Sequence, residues 1–162
     1  MTDRSVTHAT FCVERIFDAS PRRVWDAFAK PDQKARWSCH ETWTMQEMTF
    51  AVGGREVAGG SDAGGPFWRF DGTYLDIVDG ERFVVAYTMN RDDIPVSASI
   101  ITWEIFPDPA GARLKFTDQG AYLDGHADPA EREAGSGLGL DNLAAMLRAD
   151  RDAQSPGIPA VA

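Results

Sequence analysis

The residue types that could perform nucleophilic chemistry are few. Cys39 and His40 are a candidate nucleophile and base, but adjacent residues point apart on a helix or a strand, so the pair has poor geometry. Cys12 is surrounded by apolar residues, and we interpret it as a small core residue. Two cysteines in 162 residues make no disulfide framework. The cysteines therefore predict neither a cysteine enzyme nor a cross-linked scaffold.

Metal binding is a second candidate chemistry. Asp124, His126 and Asp128 place three potential ligands at alternate positions. One histidine and two aspartates in a glycine-containing loop are unspecific for a metal. Asp128 is better explained as a helix N-cap, because Pro129 follows it at the first helical position. We therefore expect no metal and no cofactor.

Nucleotide binding is a third candidate, raised by the glycine-rich stretch 135–139 (GSGLG). The dinucleotide-binding pattern would require a glycine at Leu140, and no βαβ unit surrounds the stretch. With 25 acidic and 16 basic residues, the net charge of −9 also argues against a nucleic-acid partner or an anionic membrane surface. A close approach of helix to sheet, or a kink, explains these glycines better than a phosphate does.

Acid–base chemistry has candidates by position alone, and no two of them form an evident pair: His40, Glu47, Arg69 and Glu104. General acid–base catalysis requires a positioned group with a pKa shifted toward the working pH. With no such constellation evident, the residues favour a protein that is not an enzyme, and an enzyme remains the alternative.

Aromatic residues are the sharper signal, with nine Phe, five Trp and three Tyr spread over the chain. Such rings either fill a core or line a cavity, and composition alone leaves both open. We predict that a small hydrophobic or aromatic molecule binds against them. The expected binding residues are Trp37, Trp43, Trp68, Phe70, Tyr74, Tyr87, Met89, Trp103, Phe116, Leu138 and Asn142.

The elements that would position these residues follow from periodicity. A strand over 10–17 precedes two short helices within 20–37, which Ser20 and two prolines begin or interrupt. Alternating residues joined by short turns predict further strands between 42 and 117, with a flexible loop over 59–66. A long helix over about 129–149 completes the pattern.

Grouped strands and grouped helices predict an α+β fold, in which a curved antiparallel sheet of six to seven strands wraps around the long C-terminal helix. A cavity is expected between them. We expect a flexible N-terminus over 1–8, one domain over 9–150 and a flexible tail over 151–162. No apolar run reaches the ~18 residues of a membrane span, and no signal peptide is evident, so a cytoplasmic protein is expected.

Five separated segments together carry a resemblance to a known superfamily. They are residues 17–28 (FDASPRRVWDAF), 31–37 (PDQKARW), 52–55 (VGGR), 70–83 (FDGTYLDIVDGERF) and 135–147 (GSGLGLDNLAAML). In order and spacing they are similar to the SRPBCC/START-like superfamily, which has the helix-grip fold. Within it, the chain most resembles the bacterial homologues of the activator of heat-shock-protein-90 ATPase.

The resemblance spans about residues 9–149 and has three departures. Ser38 and Ser136 stand where the family usually has Trp, and Val52 where it usually has Pro. The two serines would alter the mouth of a cavity. The resemblance implies ligand binding, and it leaves two alternatives: a cyclase or dehydratase acting in the same cavity, or a module that interacts with a chaperone. A protein partner and a homodimer also stay open.

Overall fold

In the computed structural model of the chain, the described residues are 4–40, 42–61, 63–155 and 157. Their elements follow the order strand, two helices, six strands, helix. The bounds are β1 Val6–Phe17, α1 Pro21–Ala29, α2 Pro31–Ser38, β2 Trp43–Met48, β3 Arg55–Ser61, β4 Phe67–Val78, β5 Arg82–Arg91, β6 Ile94–Asp108, β7 Gly111–Leu123 and α3 Pro129–Gln154.

The strands form one antiparallel sheet in the order β1-β7-β6-β5-β4-β3-β2. Consecutive strands from β2 to β7 are neighbours, as short turns require. β1 is the exception, because it pairs with β7 at the far edge, with Val6 opposite Leu123 and Phe17 opposite Ala112. Helices α1 and α2 therefore carry the chain from one edge of the sheet to the other. This arrangement confirms the predicted α+β fold.

The starts of all three described helices have local causes in the sequence. Ser20 caps α1, since its hydroxyl accepts a hydrogen bond from the Arg23 backbone N–H at 3.1 Å. Pro31 cannot continue α1 and begins α2 instead. Asp128 caps α3 through the Ala130 N–H at 2.8 Å, as the sequence predicts.

Period-two patterning places one face of the sheet toward α3. In β7, Ala112, Leu114 and Phe116 are buried while the residues between them are partly exposed. Helix α3 covers this face mainly with its second half, where its buried residues are Leu140, Leu143, Met146 and Leu147. The apolar core therefore lies between the inner face of the sheet, α1 and the C-terminal half of α3.

Several predicted boundaries were wrong. The expected flexible N-terminus does not extend to residue 8, because Val6 to His8 pair with β7. Helix α3 continues into the expected tail as far as Gln154. Most of the remaining tail and residues 1–3 lie outside the described residues. Cys12 is exposed rather than part of the core, since its neighbours Phe11 and Val13 take the inward positions.

The loop expected over 59–66 is also shorter than predicted, because β3 continues to Ser61. Glycines weaken a strand unless neighbouring backbone comes close, and that is the case here. A Cβ at Gly60 would lie 1.7 Å from the Thr42 carbonyl oxygen, and one at Gly59 would lie 2.6 Å from that of Trp68. The glycines thus extend the strand instead of ending it.

An ion-pair cluster ties α3 to the first two helices. Asp150 of α3 accepts hydrogen bonds from Arg36 of α2, at 2.7 Å, and from Arg23 of α1. These bonds, with that from Arg36 the stronger influence, lower the pKa of Asp150 to about 2. The ionised carboxylate therefore stabilises the position of the helix.

Replacing this carboxylate should have a pH-dependent cost. We expect Asp150→Asn to lower the free energy of unfolding at pH 7 by about 1 kcal/mol, the upper range for partly exposed pairs. Because pairing lowers the folded-state pKa, the wild-type advantage is present above the ordinary pKa of 3.8 and is lost as the pH falls toward 2. Urea denaturation of both proteins between pH 7 and pH 2.5 measures this difference.

The matched control is Asp152→Asn, which removes an equally charged side chain whose ion pair, to Arg151, is confined to α3. This control should change stability by only a few tenths of a kcal/mol. A wild-type advantage over Asp150→Asn that stayed constant across the pH series would contradict the assignment to charge.

Candidate functional site

One end of the space between sheet and helices is packed with aromatic rings. Phe28 of α1 contacts Trp103 of β6, with ring centroids 4.7 Å apart, and Trp103 contacts Phe116 of β7 at 4.2 Å. Phe83 stacks on Trp103 from the other side and meets the edge of Trp25. At this end the rings pack against one another as a conventional core.

The packing stops beneath the first half of α3, where the inner cavity begins. Its volume is about 210 Å³. Its wall is mostly aromatic and aliphatic, with a small number of charged or hydroxyl groups. The lining residues are Lys34, Trp37, Ser38, Trp43, Glu56, Ala58, Phe70, Phe83, Val85, Tyr87, Met89, Ile101, Trp103, Phe116, Arg132, Ser136 and Gly139.

A wider space, the outer cleft, adjoins the inner cavity and shares seven lining residues with it, Trp37 and Arg132 among them. Its volume is about 770 Å³. The other residues that line it are His40, Trp68, Arg91, His126, Ala127, Asp128, Glu131, Gly135, Leu138 and Asn142. The shared residues make the cleft the entrance to the cavity.

Missing side chains on α3 explain why this space is open. A Cβ added at Gly135 would meet no atom within 4 Å, and one at Gly139 would only reach the Trp37 ring at 4.0 Å. Close packing therefore does not require these two glycines. The close approach of α3 to the sheet, which the sequence suggests as their cause, does not occur at these two positions. Together with Ser136, they leave room where large side chains would close the cavity.

Two further side chains hold the sheet side of the cavity in shape. Phe70 of β4 stacks on Tyr87 of β5, with centroids 4.6 Å apart and planes inclined by 24°. Gly72 permits this arrangement, because a Cβ there would lie 2.8 Å from the Phe70 ring and 3.0 Å from Val85. Across the cavity, the indole N–H of Trp37 donates to the Ala27 carbonyl at 2.8 Å and fixes that ring.

A buried ion pair lies in the wall. The Lys34 ammonium is 3.2 Å from a Glu56 oxygen, and both side chains are less than a tenth exposed. The other Glu56 oxygen accepts a short hydrogen bond from the Tyr74 hydroxyl. Burial, followed by the charge of Glu56, raises the pKa of Tyr74 far above its ordinary value. Both Glu56 oxygens are thus occupied, and Tyr74 stays a neutral donor.

A second polar group lies where α3 begins. Arg132 donates to the Tyr87 hydroxyl at 2.7 Å and to the Ser97 hydroxyl at 3.0 Å. Tyr87 in turn donates to Asp118 at 2.8 Å. Burial raises the pKa of Asp118 and is also the main reason that the pKa of Tyr87 is raised. The tyrosine hydroxyl therefore keeps its proton and separates the arginine from the carboxylate.

Ten of the eleven residues expected to bind a ligand line the inner cavity, the outer cleft or both. Tyr74 does not, because it is fully buried against Glu56. Leu138 is 66% exposed and, like Asn142 and Trp68, lines only the outer cleft. A binding role for these ten residues stays a prediction.

The four acid–base candidates are not brought together. His40 lines the outer cleft, and none of the four lines the inner cavity. Glu47 pairs with Arg55, and Arg69 pairs with Asp71. Glu104 lies in β6 between Trp103 and Ile105, which are the buried residues there.

The charged residues of the cavity were missed by the sequence reasoning: Lys34, Glu56 and Arg132. Helical spacing carried a signal for one of them. Arg132, Ser136 and Gly139 follow the i, i+4, i+7 rule, which continues through Leu140 and Leu143 on the covered side of α3. No comparable signal marked Lys34 and Glu56, whose partnership depends on the packing of α2 against β3.

The two aspartates that were weighed as metal ligands serve other purposes. Asp124 accepts a hydrogen bond from the Ser5 backbone N–H at 2.9 Å and pairs with Arg4, and Asp128 caps α3. Within 4–40, 42–61 and 63–155, no three His, Cys, Asp or Glu side chains cluster as metal ligands would. None of the helices in these ranges is both long and apolar enough to cross a membrane.

Comparison with solved structures finds several that share this fold over most of their length. An uncharacterised protein from Rhizobium leguminosarum is 37% identical with a TM-score of 0.85, covering 91% of this chain and 99% of that one. A protein from Rhizobium loti is 41% identical, with a TM-score of 0.78 and coverage of 87% and 98%. One from Chromobacterium violaceum is 30% identical, with a TM-score of 0.73 and coverage of 85% and 96%.

Comparison with curated proteins yields no match. The family model described as "Activator of Hsp90 ATPase homolog 1-like protein" matches residues 18–148. The match covers α1, the six following strands and most of α3, and it confirms the resemblance drawn from the five sequence segments. The chain belongs to the family of activator of Hsp90 ATPase homolog 1-like proteins, within the SRPBCC-type helix-grip folds.

Proposed function

We propose that this protein binds a small hydrophobic molecule, one containing an aromatic ring system, in the inner cavity and performs no chemistry on it. The observation that carries the proposal is the open space beneath Ser136 and Gly139, next to a core that is otherwise tightly packed. Interiors of folded proteins rarely leave such voids, because a void forfeits dispersion contacts. A ligand would restore those contacts.

The size and chemistry of the cavity agree with this proposal. An apolar cavity of about 150 Å³ is enough to hold benzene, so about 210 Å³ suits a somewhat larger ring system. The wall offers stacked rings, Phe70 and Tyr87 among them, with few polar groups, which is the usual make-up of a small-molecule site. The outer cleft supplies the route of entry.

The state of the polar groups favours binding over catalysis. Glu56 is the carboxylate that lines the inner cavity, and both of its oxygens are bound, by Lys34 and by Tyr74. Tyr87 holds its proton between Arg132 and Asp118. A general base needs a free proton acceptor within reach of the substrate. A cyclase or dehydratase would have to break one of these buried contacts first.

Native mass spectrometry of protein purified without organic solvent tests for a retained ligand. We expect a population heavier than the apoprotein, and we expect the extra mass to be released on denaturation in solvent. An apoprotein mass alone, combined with a failure to bind the neutral probe described next, would overturn the proposal.

Closing the cavity with one larger side chain tests whether the ligand binds there. We expect Ser136→Trp to weaken binding of the neutral fluorophore N-phenyl-1-naphthylamine by at least about tenfold, or ~1.4 kcal/mol, because the indole would occupy the ligand's space. Trp is usual in the family at this position, so the thermal midpoint should change little. Fluorescence titration measures the affinity and circular dichroism the fold.

The matched control is Ala145→Trp, which adds the same indole to α3 at an exposed position outside both cavities. This variant should bind the fluorophore as the wild type does. If Ser136→Trp bound it equally well, the fluorophore would be binding elsewhere and the inner cavity would not be the site.

A further inference from the structure

We propose that the ligand is an acid, and that Arg132 binds its carboxylate where the inner cavity meets the outer cleft. This inference rests on the proposed function and adds to it the chemical class of the ligand. It is carried by a guanidinium that is fixed, faces the cavity and has no acidic partner in the described chain.

The position of Arg132 is well defined. It lies in the first turn of α3, and two of its nitrogens donate to Tyr87 and Ser97 on the sheet, at 2.7 and 3.0 Å. Its guanidinium also lies over two tyrosine rings, 5.7 Å from the centroid of Tyr87 and 5.5 Å from that of Tyr122. The side chain therefore crosses the gap between helix and sheet and forms part of the cavity wall.

Arg132 combines a place in the wall of the inner cavity with the lack of a carboxylate partner. Most other arginines pair with a carboxylate, such as Arg36 with Asp150 and Arg82 with Asp76. In the described ranges, no carboxylate oxygen lies within 4.0 Å of the Arg132 guanidinium, although the chain has a net charge of −9. Both acceptors it has found are neutral hydroxyls. A partly buried cation without a counter-ion is costly unless a ligand supplies one.

The neighbouring charges do not pair with it directly. Asp118 is completely buried behind Tyr87, whose hydroxyl it accepts, and it reaches Arg132 only through that hydroxyl. Lys34 and Glu56 compensate each other in a direct pair. Asp118 therefore attracts Arg132 across the Tyr87 hydroxyl, but among the described residues the arginine has no carboxylate in direct contact.

Two acidic residues, Asp128 and Glu131, line the outer cleft together with Arg132. Asp128 is held by its role as the N-cap of α3, while Glu131 is exposed at the rim. Neither comes within 4.0 Å of Arg132. Both lie on the entrance side, so an acid that reached the inner cavity would meet the arginine and not these carboxylates.

The donor geometry suits a carboxylate. A guanidinium carries five N–H donors in a planar fork, and the hydroxyls of Tyr87 and Ser97 use two of them. The remaining donors have no acceptor among the described residues. A carboxylate accepts two parallel N–H bonds from such a fork, which gives both affinity and orientation. The ring system of the ligand would then extend along Phe70 and toward Trp37.

A pair of nearly isosteric probes tests the charge alone. Naphthalene-2-carboxylate and naphthalene-2-carboxamide share a ring system and differ in the ionised oxygen. In displacement of N-phenyl-1-naphthylamine at pH 7, we expect the wild type to bind the carboxylate at least about tenfold more tightly. Arg132→Gln should remove this preference by weakening the carboxylate, while leaving the affinity for the carboxamide within about threefold.

The matched control is Arg148→Gln, which removes the same charge from an exposed position on α3 outside both cavities. It should keep the preference, and a loss there would assign the effect to the overall charge of the protein. Equal binding of both probes by the wild type would overturn the acid assignment and leave the proposed function standing. Failure of the fluorophore and both probes to bind, combined with an apoprotein mass alone in native mass spectrometry, would overturn both. The wild-type ratio decides the question even if Arg132→Gln does not fold.

Discussion

The central constraint in this structure is that α3, with α1 and α2, must cover the apolar face of a seven-stranded sheet, while only the C-terminal half of α3 buries large apolar side chains. From Leu140 onward, α3 buries large side chains against β1 and the core rings. Before Leu140 it presents Gly135 and Gly139, where an added Cβ would reach almost nothing, and the small side chain of Ser136. Burial of apolar surface fixes the C-terminal half, and the absence of side chains leaves the cavity beneath the N-terminal half.

The charged side chains Lys34, Glu56 and Arg132 line the cavity beneath the N-terminal half. Lys34 and Glu56 close the cavity beside α2, and Arg132 and Tyr87 close it beside the start of α3. Buried charges are tolerated only when they are paired and hydrogen-bonded. The first pair meets this condition within the protein. Arg132 meets it only in part, because both of its acceptors are neutral hydroxyls. The cavity wall beside the start of α3 is therefore more cationic than the wall beside α2.

Much of the fold could be predicted because it depends on local patterning. Alternation in β4 to β7 located the strands, and Ser20, Pro31 and Asp128 located the helix starts. Seven of the ten proposed binding residues that line the cavity or the cleft lie in strands, where period two puts them on one face, whereas Trp37, Leu138 and Asn142 lie on helices. The failures were non-local. Pairing with β7 lengthened β1 to Val6, and the proximity of Thr42 and Trp68 kept Gly59 and Gly60 in a strand.

The amino-acid sequence by itself determined the class of fold, the order of its elements and the set of rings that face inward. These follow from periodicity and capping, which act over a few residues. Only the tertiary structure decided which rings pack together and which leave space, that Tyr74 belongs to the core, and that Lys34 finds Glu56 while Arg132 finds no acid. Such outcomes depend on distances between segments far apart in the chain, and no local pattern encodes them.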